Sequence, residues 1–462
     1  MGQIFDIEPR ITSDVHIGDT RRSNVIYAGK LAEKGPSTGG RVYFDGSDNF
    51  VVLEVGKRGS GKSYGMGSLL EGFATSAVSK ISSQKEQRAV LLLDPLDIHW
   101  TAILPLNSDG PEGLKRQHKV FASWTGLEVE KISAVVWVPA GFRWDIDHEN
   151  FKEYYMPVSA LDADDWALLL QTDLMLETRG RLIYEAYQKV TTLGWTGSRV
   201  EYSPRSDYSI QDLIDCISGD ADIAAFYHPE TIRSVIQPLK SYARMQLFSA
   251  REGTPMTELV QKGLLSVLSL GRLGEDLRTV LTTVVVRKLR KDRMIASQIS
   301  RRLALQKLDD ETKKSLEEEL KTHVPRTILA IDEAQILMPQ KSSSHARRAL
   351  DSFVLEGRNY GLSLWLATQR PKGAISDAAA SQIDTFIVHR LSINDDINAV
   401  CNMLQNARPD KIRKGGNTIE LDQLIRGLDV GQAVISSATS DAPRLIVANI
   451  RPRMVAHGGE AF

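Results

Sequence analysis

Cysteine is almost missing: Cys216 and Cys401 are the two that 462 residues contain. They stand far apart, without the paired spacing of a disulfide framework or a zinc site, which suits a reducing compartment. The nine histidines are scattered singly, so a zinc centre is not expected. Net charge is also nearly nil, with 57 Lys and Arg against 58 Asp and Glu. No overall field advertises a nucleic-acid partner, and any such role must rest on local patches. No apolar run approaches the roughly 18 residues of a membrane span. The N-terminal stretch MGQIFDIEPRITSD lacks a basic-then-apolar leader, and no repeat recurs at a fixed period. These absences predict a soluble, cytoplasmic protein with no membrane partner.

What is present has the composition of a folded chain, 42% hydrophobic and 25% charged. Its length allows two or three domains, or one large domain with insertions. Residues 1–48 are polar and turn-rich and read as a short β-rich segment. Phe50 to Val55 is an apolar run of strand length that leads into glycines and a helical stretch from about Ser63 to Lys80. A second strand, Ala89–Leu93, ends at Asp94-Pro95. Residues 101–259 read as a mostly helical insertion, notably over 163–190 and 229–248. Strand patterns resume at 264–270, 326–331, 362–367 and 384–391, with a long helix over 274–303 and late strands at 432–437 and 444–450. The pattern predicts an α/β fold: a RecA-like P-loop core (49–100 and 260–450) with a mainly parallel central sheet. In such sheets ligands bind at the carboxyl ends of the strands.

Gly56-Lys57-Arg58-Gly59-Ser60-Gly61-Lys62-Ser63 fits the phosphate-loop pattern without a mismatch. Its glycines permit positive φ, so Gly56, Gly59, Ser60 and Gly61 can turn backbone N–H groups inward on an anion. The helix that follows adds partial positive charge where phosphate sits. Lys62 is placed to reach the β- and γ-phosphates of ATP, Ser63 to bind Mg²⁺, and Tyr64 to continue the nucleotide-binding stretch. A chance glycine-rich turn would not be bracketed by a strand and a helix.

Thr327 to Ile331 is an apolar strand that ends in Asp332-Glu333. In P-loop ATPases the first acid holds Mg²⁺ and the second polarises the attacking water. Two acids at a strand end also fit a solvated loop start, but the phosphate loop in the same chain favours the hydrolytic assignment. Gln369, at the tip of the next strand, reads as a sensor of γ-phosphate and lytic water rather than a plain turn residue. Asp94 is a weaker cofactor-binding candidate, since a helix cap or turn aspartate fits it equally.

With those positions fixed, the chain resembles the FtsK–HerA superfamily of ring ATPases, and its HerA branch most closely. The resemblance rests on the phosphate loop, Asp94-Pro95, Leu264–Leu289, Ile331-Asp332-Glu333-Ala334-Gln335, Glu356 to Leu362, Thr368-Gln369-Arg370-Pro371, and the ending Arg451-Pro452-Arg453 with His457-Gly458-Gly459. It implies a homo-hexamer that moves along double-stranded DNA, with ATP between subunits and Arg358 as the finger that reaches a neighbour's γ-phosphate. A surface arginine is the plainer reading of Arg358, and Arg390 is a second, weaker finger candidate. The tail 451–462 is expected to brace a neighbouring subunit. Members of the branch carry a fuller N-terminal β-barrel, so docking surfaces that depend on it are in doubt here.

Two basic stretches are DNA candidates. Arg287 to Arg293 with Arg301-Arg302 reads better as a solvated helix face balanced by Glu317-Glu318-Glu319, whereas Lys341 to Arg348 suits a pore loop. Two functions compete. One is a DNA translocase or helicase that works with a nuclease (NurA-like) or an antiphage-defence effector. The other is an ATP-gated ring scaffold that organises an effector without moving DNA.

Overall fold

The run before the glycines forms the strand Val51–Val55, with every residue buried. Val51, Leu53 and Val55 enter one hydrophobic cluster and Val52 another, as the two-residue period of a strand requires. Burial on both faces marks a central strand covered by helices. Ala89–Asp94, Thr327–Ile331 and Leu362–Thr368 are buried in the same way. The computed structural model describes residues 4–6, 14–17, 24–32, 40–197, 200–249, 253–337, 345–372, 380–404, 411–414, 417–437 and 444–459.

Among the described residues one 14-stranded sheet organises the chain. Its parallel part runs Thr385–Val388, Val51–Val55, Leu362–Thr368, Thr327–Ile331, Ala89–Asp94, Leu265–Ser269, Ala134–Pro139 and Phe151–Tyr154. Leu362–Thr368 therefore lies between the phosphate-loop strand and the acidic strand. Its register, Thr368 beside Val55 and Leu366 beside Ile331, brings all three tips to one edge. Beyond Thr385–Val388 the sheet turns antiparallel through Gln432–Ser437, Arg444–Ile450, Val25–Leu31 and Arg41–Asp45. The N-terminal β segment is thus continuous with the central sheet, through Gly29–Leu31 against Ala448–Ile450.

The structure departs from the sequence reading in several places. The helix expected to reach Lys80 spans Lys62–Glu71. Gly72 then packs so tightly that a Cβ there would lie 2.2 Å from Ile26. The region 163–190 is two helices, Ala163–Leu169 and Thr178–Gln188. Gln171 turns left-handed between them at φ 52°, and Asp173 Oδ1 accepts from the Met175 and Leu176 N–H groups. Residues 101–259 are not a separate helical block, because Ala134–Pro139 and Phe151–Tyr154 are strands of the main sheet.

The tail begins inside the fold. Arg451 and Arg453 are fully buried in their own chain, where both reach the Glu71 carboxylate, and Met454 N also donates to it. Part of the first basic stretch is likewise absorbed. Arg287 pairs with Asp162 at 2.5 Å and Asp165 at 2.7 Å, and Arg290 pairs with Glu356. Arg293 donates to the Tyr360 and Val324 carbonyls, and Arg301 to that of Asn359. Arg287, Arg290 and Arg293 fasten the helix Glu275–Leu305 to its surroundings, while Lys291, Arg301 and Arg302 stay on its exposed face. Of the proposed pore loop, residues 341–344 lie outside the described residues, and His345 opens the helix His345–Gly357.

Candidate nucleotide site

The loop after Val55 folds back on itself. Ser60 N donates to the Lys57 carbonyl at 3.1 Å, and Gly65 N to that of Gly61 at 2.7 Å. Gly59 and Gly61 adopt φ of 75° and 98°, values an L side chain rarely tolerates. A Cβ at Gly61 would also sit 3.0 Å from the Gly431 nitrogen. Gly59, Gly61, Lys62, Ser63 and Tyr64 line a cavity of about 870 Å³, together with Glu333, Gln369 and His457. Gly56 and Ser60 lie outside its lining: Gly56 N bonds the Thr368 carbonyl at 3.3 Å, and Ser60 Oγ is buried with no partner among the described residues.

Lys62, Ser63 and Glu333, which line this cavity, meet Asp332 just behind it. Lys62 Nζ lies 2.5 Å from Asp332 Oδ1, 3.2 Å from Glu333 Oε1 and 3.3 Å from Ser63 Oγ. Burial alone would depress the Lys62 ammonium, but the two carboxylates outweigh it and hold its pKa above the usual value. Burial acts the opposite way on Asp332, yet Lys62 and His99 keep that carboxyl well below the ordinary range. Both groups are therefore charged. Gln369 Nε2 donates to Glu333 Oε1 at 2.6 Å, and Gln335 Nε2 to Oε2 at 2.5 Å. Glu333 itself is left-handed, with φ of 47°, a strained state for a side chain of this size and one that clusters at functional sites.

Three residues named from the sequence lie outside the lining of this cavity. Asp94 does not line the cavity. Its Oδ2 accepts from the His99 N–H at 2.6 Å and its Oδ1 from the Leu96 N–H at 3.3 Å, the turn role that competed with nucleotide binding. Burial raises its pKa. Arg358 lies at the opposite edge of the sheet, just before Leu362–Thr368, where it pairs with Asp384. Arg390 sits against its own phosphate loop, its carbonyl accepting from Lys57 N at 3.0 Å.

Sequence reasoning missed three contributors. His99 Nε2 lies 3.0 Å from Asp332 Oδ2. Gln335 completes the clamp on Glu333 and is in turn fixed by Thr368 Oγ1 at 2.7 Å; its place two residues after Glu333 was the available signal. His457 stands edge-on to Tyr64, with centroids 5.3 Å apart. Its Nδ1 accepts from Arg453 at 3.3 Å, because a guanidinium can only donate.

The residues fit a magnesium nucleotide. The Ser63 hydroxyl and Asp332 carboxylate are hard oxygen donors of the kind Mg²⁺ takes alongside phosphate and water. The positive-φ glycines form an anion cradle. Among the described residues no cluster of three His, Cys, Asp or Glu is gathered as an all-protein metal centre. No described helix is long and apolar enough to cross a membrane.

No protein-family model matches the chain. Curated relatives do. The chain is 24% identical over 230 residues to the DNA double-strand break repair helicase HerA of Pyrococcus furiosus, a stretch covering 47% of this chain and 38% of that protein. It is 25% identical over 118 residues to a probable helicase of Methanocaldococcus jannaschii, covering 26% and 21%. The matches thus span well under half the length of these relatives. Among solved structures, VirB4 of Thermoanaerobacter pseudethanolicus aligns with 14% identity and a TM-score of 0.49, over 94% of this chain and 97% of that one. ATPases 2 and 3 of EssC from Geobacillus thermodenitrificans align with 11% identity and a TM-score of 0.39, over 96% and 47%.

Proposed function

We propose that the chain is a P-loop ATPase of the FtsK–HerA superfamily that hydrolyses ATP to move along or unwind double-stranded DNA, as a hexameric ring with a nuclease or defence effector as partner. One observation carries most of the reading: Lys62, Ser63, Asp332, Glu333 and Gln369 converge at neighbouring strand tips beside the glycine loop.

The residues divide the work. The loop N–H groups left free by the chain and Lys62 would hold the β- and γ-phosphates, and Ser63 and Asp332 would hold Mg²⁺, which would supply positive charge beside the phosphoryl oxygens. The Lys62 ammonium now bridges both acids; on turning toward phosphate it releases Asp332 for the metal and Glu333 for water. Glu333 then takes a proton from the attacking water, its two oxygens aimed by Gln369 and Gln335. Gln369 couples this carboxylate to the γ-phosphate. Arg358 precedes Leu362–Thr368, at the end of that strand away from its own site, which supports a role on the nucleotide of another copy.

The absorption of Arg287, Arg290 and Arg293 into intrachain contacts favours keeping a second reading, an ATP-gated scaffold. Hydrolysis measured with and without duplex DNA separates the two. A motor is stimulated by DNA, with binding that falls steeply as salt rises. A rate indifferent to DNA rejects the motor.

A further inference from the structure

The strand Val51–Val55 carries a single charged residue, Glu54. It stands two residues before the glycine loop, beside Ala367 and Ile387 in the sheet register and fully buried. Its carboxyl is met from both sides. Trp365 Nε1 donates to Oε2 at 2.9 Å, and His389 Nε2 lies 2.8 Å from Oε1. His389, also fully buried, turns its other ring nitrogen to the Gln432 carbonyl, 3.0 Å away. A carbonyl can only accept, so Nδ1 carries a hydrogen and one proton joins Nε2 to the carboxyl. Each polar atom of the three side chains therefore has a partner.

The cluster packs against both ends of the phosphate loop. A Cβ at Gly65 would lie 2.9 Å from Glu54 Oε1 and 3.2 Å from His389 Nε2, and one at Gly56 would lie 2.9 Å from His389 Cβ. Backbone bonds tie the same segments to the loop. His389 N donates to the Val55 carbonyl at 2.7 Å, Lys57 N to that of Arg390 at 3.0 Å, and Gly431 N to that of Ser60 at 3.2 Å. Stability alone does not call for an acid and a histidine here, because apolar residues of similar volume often replace a buried ion pair without loss.

We propose that Glu54, His389 and Trp365 are positioning residues for hydrolysis, which hold the phosphate loop in register with Glu333 and Gln369 at the neighbouring strand tips. The inference deepens the nucleotide-site reading above and rests on it. Gly56 N is bonded to the carbonyl of Thr368, the residue before Gln369, so a loop that settles elsewhere also shifts against Gln369. A misplacement of about 1 Å between reacting groups costs about 100-fold in rate. Phosphate binding through several N–H groups tolerates such a shift better than the chemical step does.

The test measures kcat, KM for ATP and melting temperature on wild type, Lys62→Ala, Glu54→Gln and Glu54→Leu. In Glu54→Gln the new amide oxygen accepts from Trp365 and its nitrogen donates to His389 Nε2, so turnover should stay within about threefold of wild type. Glu54→Leu loses both bonds, and kcat should fall about 100-fold while KM changes by less than about tenfold. A purely structural role predicts instead a lower melting temperature for Glu54→Leu with wild-type kcat per folded molecule. That result overturns the proposal, and so does a Glu54→Gln variant as slow as Glu54→Leu. Should Glu54→Leu not fold, the indole N–H resonance of Trp365, identified by its loss in Trp365→Phe, decides on wild type alone. A shift of that resonance when a non-hydrolysable ATP analogue binds supports the proposal, and an unmoved one overturns it. Wild-type turnover by Lys62→Ala overturns instead the nucleotide site on which the proposal rests.

Discussion

His99 and Asp332 face each other behind the phosphate loop, with His99 Nε2 3.0 Å from Asp332 Oδ2 and both side chains at most 1% exposed. Asp332 Oδ1 is taken by Lys62 and by the Glu333 N–H. The carboxylate is thus held from two sides, by the Lys62 ammonium and the Glu333 N–H on one oxygen and by His99 on the other. His99 is held by its own backbone, through Asp94. Asp94, which the sequence offered as a nucleotide ligand, accepts from the backbone of the histidine that meets Asp332.

Replacing His99 by Ala should leave ATP binding near wild type but raise the Mg²⁺ needed for half-maximal hydrolysis, or lower turnover, by about 10–100-fold, as loss of an outer partner of a metal ligand does. A Mg²⁺ titration of hydrolysis checks this. An unchanged titration curve would show that Lys62 alone orients Asp332.

The parts of the site legible in the sequence were those set by short-range pattern. A glycine loop between strand and helix, and an acid pair ending an apolar strand, need no distant partner to be recognised. Gln369 was legible because strand tips share an edge. His99 was not, since it lies 233 residues from Asp332 and no spacing rule links them. Arg287 and Arg290 looked like a solvated stripe because their partners, Asp162 and Glu356, stand 125 and 66 residues away. The break within 163–190 was hidden by apolar periodicity; Asp173 breaks the helix by capturing backbone N–H groups.

Arg358→Ala should bind ATP normally and lose turnover by as much as about 10³–10⁵-fold. Mixing it with Lys62→Ala protein should restore part of the rate, because each copy supplies what the other lacks. Undiminished hydrolysis by Arg358→Ala alone would reduce this residue to its ion pair with Asp384.

Acid should weaken the fold through His457. Its pKa is pushed down to about 2, first by burial and then by Arg453, whereas an unfolded histidine titrates near 6.5. Between those values the unfolded chain binds a proton that the folded chain refuses, so stability falls as pH drops below about 6.5, by at most about 1.4 kcal/mol per unit. Asp165 acts oppositely: burial and Asp162 raise it from 3.8 to about 6, so it favours the fold as pH drops through that window. Melting temperatures from pH 7 to 5 isolate the histidine by difference. His457→Asn should show a shallower loss than wild type, and parallel curves would remove His457 from the balance.

Glu333→Gln bears most directly on the central claim that one triphosphate is held and cleaved where Lys62, Asp332 and Glu333 converge. ATP binding and steady-state hydrolysis should be measured on the same preparation. The account requires binding within a few-fold of wild type and turnover lower by roughly 10²–10⁴-fold, the usual contribution of a general base. Wild-type turnover by Glu333→Gln would contradict it.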